Sequence, residues 1–395
     1  MNRSKKNVIY ALIGTILIYL LIPSNKLVQV TPSEKMDEVP EIILPPIPIV
    51  EEDPCGNFDM KWYSPSNHNS RLFSNLNIGE KTYNLKDSLV NRLDIKILNL
   101  DSSNFTSLPE ELLEFENLEE LDISDNPFTD LELVVEKLSK LKSLKILSME
   151  HCNIKELPDN LYKLNHLEAL SLAQNFMTEV NDNIGDLTNL RILSFRRCPN
   201  LRKLPAAIGK LECLQLLKIS GGGFVSIPEE IANCSNLRSI AANASKIESI
   251  PNSIGELKKL KVLNLAANRI RKVPASIGDL ENLEYLSLGS NDIDSLPAEI
   301  ANLKKVQTLG LGFNRFKKFP SMVIEMDGLV NLWVHNNRID NIPPEVAQLP
   351  KLVSLLVDHE VISDENIQTL QSLNPELRIK KHDGRRRVKG IKRKD

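Results

Sequence analysis

A nine-residue apolar pattern recurs along this chain, and recurrence at a fixed spacing narrows the possible folds more than any other feature. Leu260-Lys-Val-Leu-Asn-Leu-Ala-Ala-Asn268 returns as Leu283-Glu-Tyr-Leu-Ser-Leu-Gly-Ser-Asn291 and again as Val306-Gln-Thr-Leu-Gly-Leu-Gly-Phe-Asn314. With the first apolar residue as position 1, twelve units start at Ile95, Leu118, Leu144, Leu167, Leu190, Leu214, Leu237, Leu260, Leu283, Val306, Leu329 and Leu352. Nine of the eleven intervals are 23 residues; that from 118 to 144 is 26 and that from 190 to 214 is 24. A unit this short cannot bury its own apolar face, so neighbours must stack and share one elongated core.

The positions within a unit have distinct physical roles. Positions 4 and 6 fall on one face of a short strand, because strand side chains alternate with period two, and position 1 joins them inside. Position 9 is Asn in six units: Asn126, Asn175, Asn268, Asn291, Asn314 and Asn337. An amide there can satisfy backbone groups where the chain turns out of the strand. The other units place Ser103, Cys152, Cys198, Gly222, Ser245 and Glu360 at this position, and Glu360 marks the twelfth unit as a terminal cap. A Leu/Ile-Pro step follows, as in Ile250-Pro251 and Leu296-Pro297, and suits the opening of a helical turn. Segments such as Ile254-Gly255-Glu256-Leu257 then return aliphatic side chains to the core.

These motifs resemble the leucine-rich repeat family, in the 23-residue subclass with an Asn ladder and a Leu-Pro-x-x-Ile-Gly-x-Leu back half. Ras-interacting scaffold proteins, plant intracellular repeat proteins and many bacterial surface proteins share that pattern. The likeness covers residues 95–375. It implies an α/β solenoid, or horseshoe, of about 12 repeats, with a parallel β-sheet on the concave face and short helices or turns on the convex face. It also implies a module that binds proteins or peptides; an enzyme using a concave His/Asp site is the weaker alternative, because only about forty residues follow the last strand expected from the repeat. The departures are the longer second unit, the extra residue after Cys198-Pro199, and the missing Asn in units five to seven. The latter two fall mid-arc and are expected to change its curvature locally.

Outside the repeats the chain divides by composition. Arg3, Lys5 and Lys6 precede an uncharged apolar run from Val8 to Ile22, so residues 1–25 read as a signal peptide or a membrane anchor. The run is short for a spanning helix. Residues 26–57 form a proline-rich linker, with Pro40, Pro45, Pro46, Pro48 and Pro54 favouring extended backbone. Residues 58–94 are expected to cover the first core layer, and a helix over Asn366 to Leu373 the last. Residues 376–395 form a basic tail; from Arg378 onward it holds ten basic side chains and two acidic ones. Its candidate partners are an anionic membrane surface or an acidic polymer, and export makes nucleic acid the least favoured. The near-neutral whole, at −3, does not suggest nucleic acid either. Localisation is therefore expected at the membrane or outside the cell, with an intracellular membrane-tethered signalling scaffold as the alternative.

Function is expected on the concave face, at positions 3, 5 and 7. Early units present acids (Asp101, Glu120, Asp122, Glu150), units five and six present Arg196 and Lys218, and units seven to ten are small and neutral. Tyr285, Phe313, Trp333, His335, Asp358 and His359 gather in the last four units. Aromatics beside a smooth floor make a hot-spot layout for a protein partner. His335 and Asp358 share position 7 in adjacent units, which raises acid–base or metal chemistry, but nothing completes a catalytic constellation and a solvated pair is expected. No metal or cofactor is implied. The five cysteines, Cys55, Cys152, Cys198, Cys213 and Cys234, have neither C-x-x-C nor zinc spacing. They argue against a disulfide framework, leaving one local bridge open. Cys152 and Cys198 read as buried thiols in place of Asn.

Overall fold

The structure is a computed structural model that describes residues 92–358 and 362–382. The expected leader, the proline-rich linker, the N-terminal cap up to residue 91, His359 and the basic residues beyond His382 lie outside these. Thirteen strands form one parallel sheet in strict chain order. They are β1 (Ile97–Asn99), β2 (Glu120–Asp122), β3 (Ile146–Ser148), β4 (Ala169–Ser171), β5 (Ile192–Ser194), β6 (Leu216–Lys218) and β7 (Ser239–Ala241). The series continues through β8 (Val262–Asn264), β9 (Tyr285–Ser287), β10 (Thr308–Gly310), β11 (Asn331–Trp333), β12 (Ser354–Asp358) and β13 (Arg378–His382). The register pairs position 4 with position 4, as in Leu98 with Leu121 and Leu263 with Leu286, so equal-length units keep every leucine on the core side. Positions 4 and 6 are buried in all twelve units, and position 1 in all but the first, where Ile95 packs on the core edge.

The first eleven strands are three residues long, and three residues further on position 8 takes the left-handed backbone. In units one to eleven its φ is positive, from Ser102 and Asp125 through Gly221 to Phe313 and Asn336. The turn this makes leaves amides and carbonyls without ladder partners, and position 9 supplies them. Asn175 donates from Nδ2 to the carbonyls of Met149 and Leu172 and accepts at Oδ1 from the amides of Cys152 and Ile154. Where Asn is missing, smaller groups take part of this work. The Cys152 thiol donates to the Ile123 and Glu150 carbonyls, the Cys198 thiol to Leu172, and the Ser245 hydroxyl to Ile219. The sheet consequently continues through units five to seven without a break in pairing.

The back halves are mostly single 3-10 turns, opened by the expected proline except at Asp182–Asp186, where Asn181 takes its place. Pro251 has extended backbone (φ −63, ψ 147), and its carbonyl accepts from Ile254 at the head of the turn Asn252–Glu256. Adjacent turns touch: a Cβ added at Gly255 would stand 2.3 Å from the Ser276 carbonyl oxygen. In the 26-residue unit the three extra residues instead allow an α-helix, α1 (Leu131–Leu138), with the Asp130 side chain capping the Leu133 amide. Val134, Val135 and Leu138 are its core face.

The C-terminal end differs from the sequence expectation. The capping helix α2 (Asp364–Leu373) is present and begins two residues earlier than Asn366, with Ser363 as N-cap. After it, β13 adds a further strand within residues assigned to the basic tail. Its Arg378-Ile-Lys-Lys-His382 sequence lacks the leucine pattern. Backbone pairing to the open edge of β12 does not require that pattern.

Candidate functional site

Positions 3, 5 and 7 do face away from the leucine core, but much of this face is closed. At the C-terminal third, Trp333 lies across β10: a Cβ at Gly310 would be 3.3 Å from the indole Cε3. Two positions on, a Cβ at Gly312 would be 2.5 Å from the His335 ring. The glycines read from sequence as a smooth floor are thus seats for rings from the following unit, a role visible only once the register is known. Phe313 meets His335 edge-on, with ring centroids 5.0 Å apart and an 84° interplanar angle. Phe313 and Trp333 remain partly exposed, whereas His335 is buried. Leu356, paired with Trp333 across β11 and β12, is also half-buried and extends the apolar surface.

Tyr285 does not join this cluster. It sits two strands from Trp333, in β9 at 7% exposure, where burial raises its pKa against an opposing contribution from Ser287. The expected solvated pair of His335 and Asp358 is also corrected. His335 is buried, and the Asp358 carboxylate accepts from the amides of Asn336 (2.5 Å) and Asn337 (3.2 Å). In earlier units the position-8 amide donates instead to a backbone carbonyl of the next unit, as Ala267 does to Gly289 and Phe313 to His335. At the eleventh unit Asp358 takes that donor, and its two oxygens are committed to structure rather than to acid–base chemistry. Among the described residues no group of three or more His, Cys, Asp or Glu is placed to hold a metal ion.

Arg196 and Lys218 lie mid-arc, and contrary to the expectation of open side chains they are nearly closed off, at 4% and 7% exposure. Arg196 is 3.8 Å from Glu150, whose other oxygen accepts from the Ser171 hydroxyl at 2.6 Å. Burial and the Arg196 charge push the Lys218 amine down to about 8, with Glu150 opposing. Toward β2, burial pushes the Glu120 carboxyl up to about 7 and raises that of Asp122, so the acidic start of the face is less charged than its composition suggests.

Cys152, Cys198 and Cys234 are free and buried, and burial pushes their thiols up to about 12, 11 and 12 respectively. Cys213 is disulfide-bonded. The local bridge left open by the sequence does not join it to Cys234, whose thiol donates to the Ile208 carbonyl. Sequence reasoning also passed over the apolar column at position 3, including Ile146, Ile192, Leu216 and Val262. Its signal was available, since aliphatic residues recur at a position that faces away from the core.

Family models described as a leucine-rich repeat region match residues 132–222 and 181–265, and two further leucine-rich repeat models match 258–316 and 117–140. No curated protein matches the chain. Among solved structures, an internalin (inlF) from Listeria monocytogenes str. 4b F2365 is similar at TM-score 0.59 and 21% identity, covering 73% of this chain and 87% of that one. The TLR13-ssRNA13 complex gives 0.61 and 20%, with 72% and 43% coverage. The plant peptide hormone receptor RGFR1 in complex with RGF2 gives 0.53 and 24%, with 69% and 44%. At these identities the likeness is one of fold.

Proposed function

This chain belongs to the leucine-rich repeat family, and from that premise we propose that it is a non-enzymatic protein-binding module, exported or membrane-tethered, holding a protein or peptide on the C-terminal third of its concave face. The observation that carries the reading is the ring cluster on β10 to β12. Trp333 and Phe313 are held in fixed orientations by Gly310 and His335 yet keep exposed surface. Rigid, partly exposed aromatics contribute most of the energy at protein interfaces, because little conformational freedom is lost when they are covered. Phe313 holds a left-handed backbone (φ 57) that a bulky side chain adopts at a cost, while glycine would adopt it freely. Retaining a ring there favours a use for it.

Two features support export. The basic, then apolar N-terminus has the layout of a targeting segment. The Cys213 disulfide suits an oxidising compartment. Protease shaving of intact cells tests location: loss of the repeat region is expected, and its survival beside cleaved surface controls overturns the export reading. A photo-crosslinking residue in place of Asn331, in the full chain on intact cells, tests the site. A discrete crosslinked species is expected and should be lost in Trp333→Ala, with far-ultraviolet circular dichroism unchanged. An equally strong crosslink in a folded Trp333→Ala chain would overturn the anchor.

A further inference from the structure

Position 3 is uncharged in eleven of the twelve units, and Glu120 in β2 is the exception. The register places it between Ile97 of β1 and Ile146 of β3, on the side of the sheet away from the leucine core. The side chain is nine-tenths buried, at 9% exposure. Among the described residues it makes neither an ion pair nor a hydrogen bond, and its Oε2 is closed to solvent with no donor. Lys96 of the preceding unit reaches Glu119 instead, at 2.7 Å.

A carboxyl so placed is a cost to the folded chain. Burial and the Glu119 charge push it up to about 7, so near neutrality it gives up part of its charge for want of a cation. Isoleucine, which both neighbours carry, would fill the row without that penalty. Glu150, in the next unit, is by contrast provided for, with Arg196 at 3.8 Å and the Ser171 hydroxyl at 2.6 Å.

A second carboxyl stands beside it. Asp122 leaves the same side of β2 two positions on, at 5% exposure, and its Oδ1 accepts from the Ser124 amide at 3.0 Å. Burial raises its pKa, the Ser124 bonds oppose the rise, and the Asp101 and Glu150 charges add to it. Among the described residues no cation offsets the shift of either carboxyl. Their Cα atoms are about 6–7 Å apart along the strand, so one guanidinium or ammonium head can meet both carboxylates.

We propose that the concave face over β1 to β3 receives a lysine or arginine side chain of a partner protein, its apolar stem on Ile97 and Ile146 and its charged head on the Glu120 and Asp122 carboxylates. Stem and head then each meet the surface that suits them. Seating the cation ionises Glu120 fully, and the proton it held passes to solvent. The proposal rests on the reading that the chain binds a protein, but not on the ring cluster. β2 and β10 are eight strands apart, about 38 Å along the sheet.

The probe is a fluorescent, acetylated and amidated hexa-arginine, with its citrulline counterpart as the neutral control. Binding to the full chain is read by anisotropy at fixed ionic strength. The arginine probe is expected to bind and the citrulline probe not to. An opposite charge in contact lowers a carboxyl's pKa by about 1–3 units, so affinity should rise about tenfold or more between about pH 5.5 and 8.5. Glu120→Gln should lose that rise and bind about tenfold more weakly at the upper pH. The other ionisable groups of these strands and their turns, Lys96, Asp101, Glu119, Asp122, Asp125, Lys145, Glu150 and His151, are the same in both chains, so any pH dependence of theirs persists in the variant. Glu299→Gln, at an exposed site in a back half, should bind as wild type does. Failure of the arginine probe to bind, equal binding of the two probes, wild-type affinity and pH dependence in a folded Glu120→Gln chain, or an equal loss in Glu299→Gln would each overturn the proposal. The Asn331 crosslink is read separately on the wild-type chain. Its absence overturns the ring-cluster reading and leaves the hexa-arginine result standing, so the two failures are distinguishable.

Discussion

Asn291→Ala measures what the position-9 ladder contributes. The Asn291 amide donates from Nδ2 to the carbonyls of Leu265 (3.0 Å), Leu288 (2.9 Å) and Gly289 (3.2 Å), and its Oδ1 accepts from the Ile270 amide at 3.0 Å. The carbonyls have second donors: Asn268 for Leu265, Asn314 for Leu288, and the Ala267 amide for Gly289. The Ile270 amide is buried, and Oδ1 is its acceptor, so alanine orphans one donor outright and weakens three shared sites. An orphaned buried donor costs about 1–3 kcal/mol and each lost net bond about 0.5–1.5, less where a partner remains, giving roughly 2–4 kcal/mol in all. Asn291→Cys should fall between wild type and alanine, because a thiol keeps part of the donor role, as Cys152 does. Asn291→Asp should be the worst, since it sets a carboxylate against three carbonyls. Urea unfolding gives the global shift. Because stacked repeats can open in parts, hydrogen exchange at the Ile270 amide is the local readout, with Ile293, held by Asn314, as control. A cost under about 0.5 kcal/mol for alanine with Ile270 still protected, or aspartate no worse than alanine, would refute the reasoning.

Ala267→Gly should raise stability by about 0.5–1 kcal/mol, since removing left-handed strain worth roughly 1–2 outweighs glycine's extra unfolded freedom; a lower urea midpoint would contradict it. Phe313→Gly relieves the same strain but loses the ring contact with His335, so unfolding should move little while the Asn331 crosslink weakens. Glu120 has a folded pKa of about 7 against an ordinary value of 4.5, so its contribution to stability is fully present below about 4.5 and is lost as pH rises through 7. Glu120→Gln should therefore gain on wild type as pH rises from 5 to 8; parallel stability curves over that range would refute this.

The repeat spacing was enough to show that short units stack on one shared core, and the resemblance of its motifs to the leucine-rich repeat family supplied the parallel-sheet arrangement that buries every leucine. The same reasoning located the thiols of Cys152 and Cys198, since any group at position 9 must serve the turn. Surface properties were less legible, because they depend on which unit lies beside which. Gly310 and Gly312 looked open until the register put Trp333 and His335 over them, and Asp358 looked free until two turn amides claimed it. Tyr285, Arg196 and Lys218 occupy outward positions by sequence, yet they are buried. Position 3 told which way a side chain points; only the tertiary structure told how much of it stays exposed. Direction follows from the local periodicity of the backbone, whereas exposure depends on segments far apart in the chain, and no local pattern encodes that.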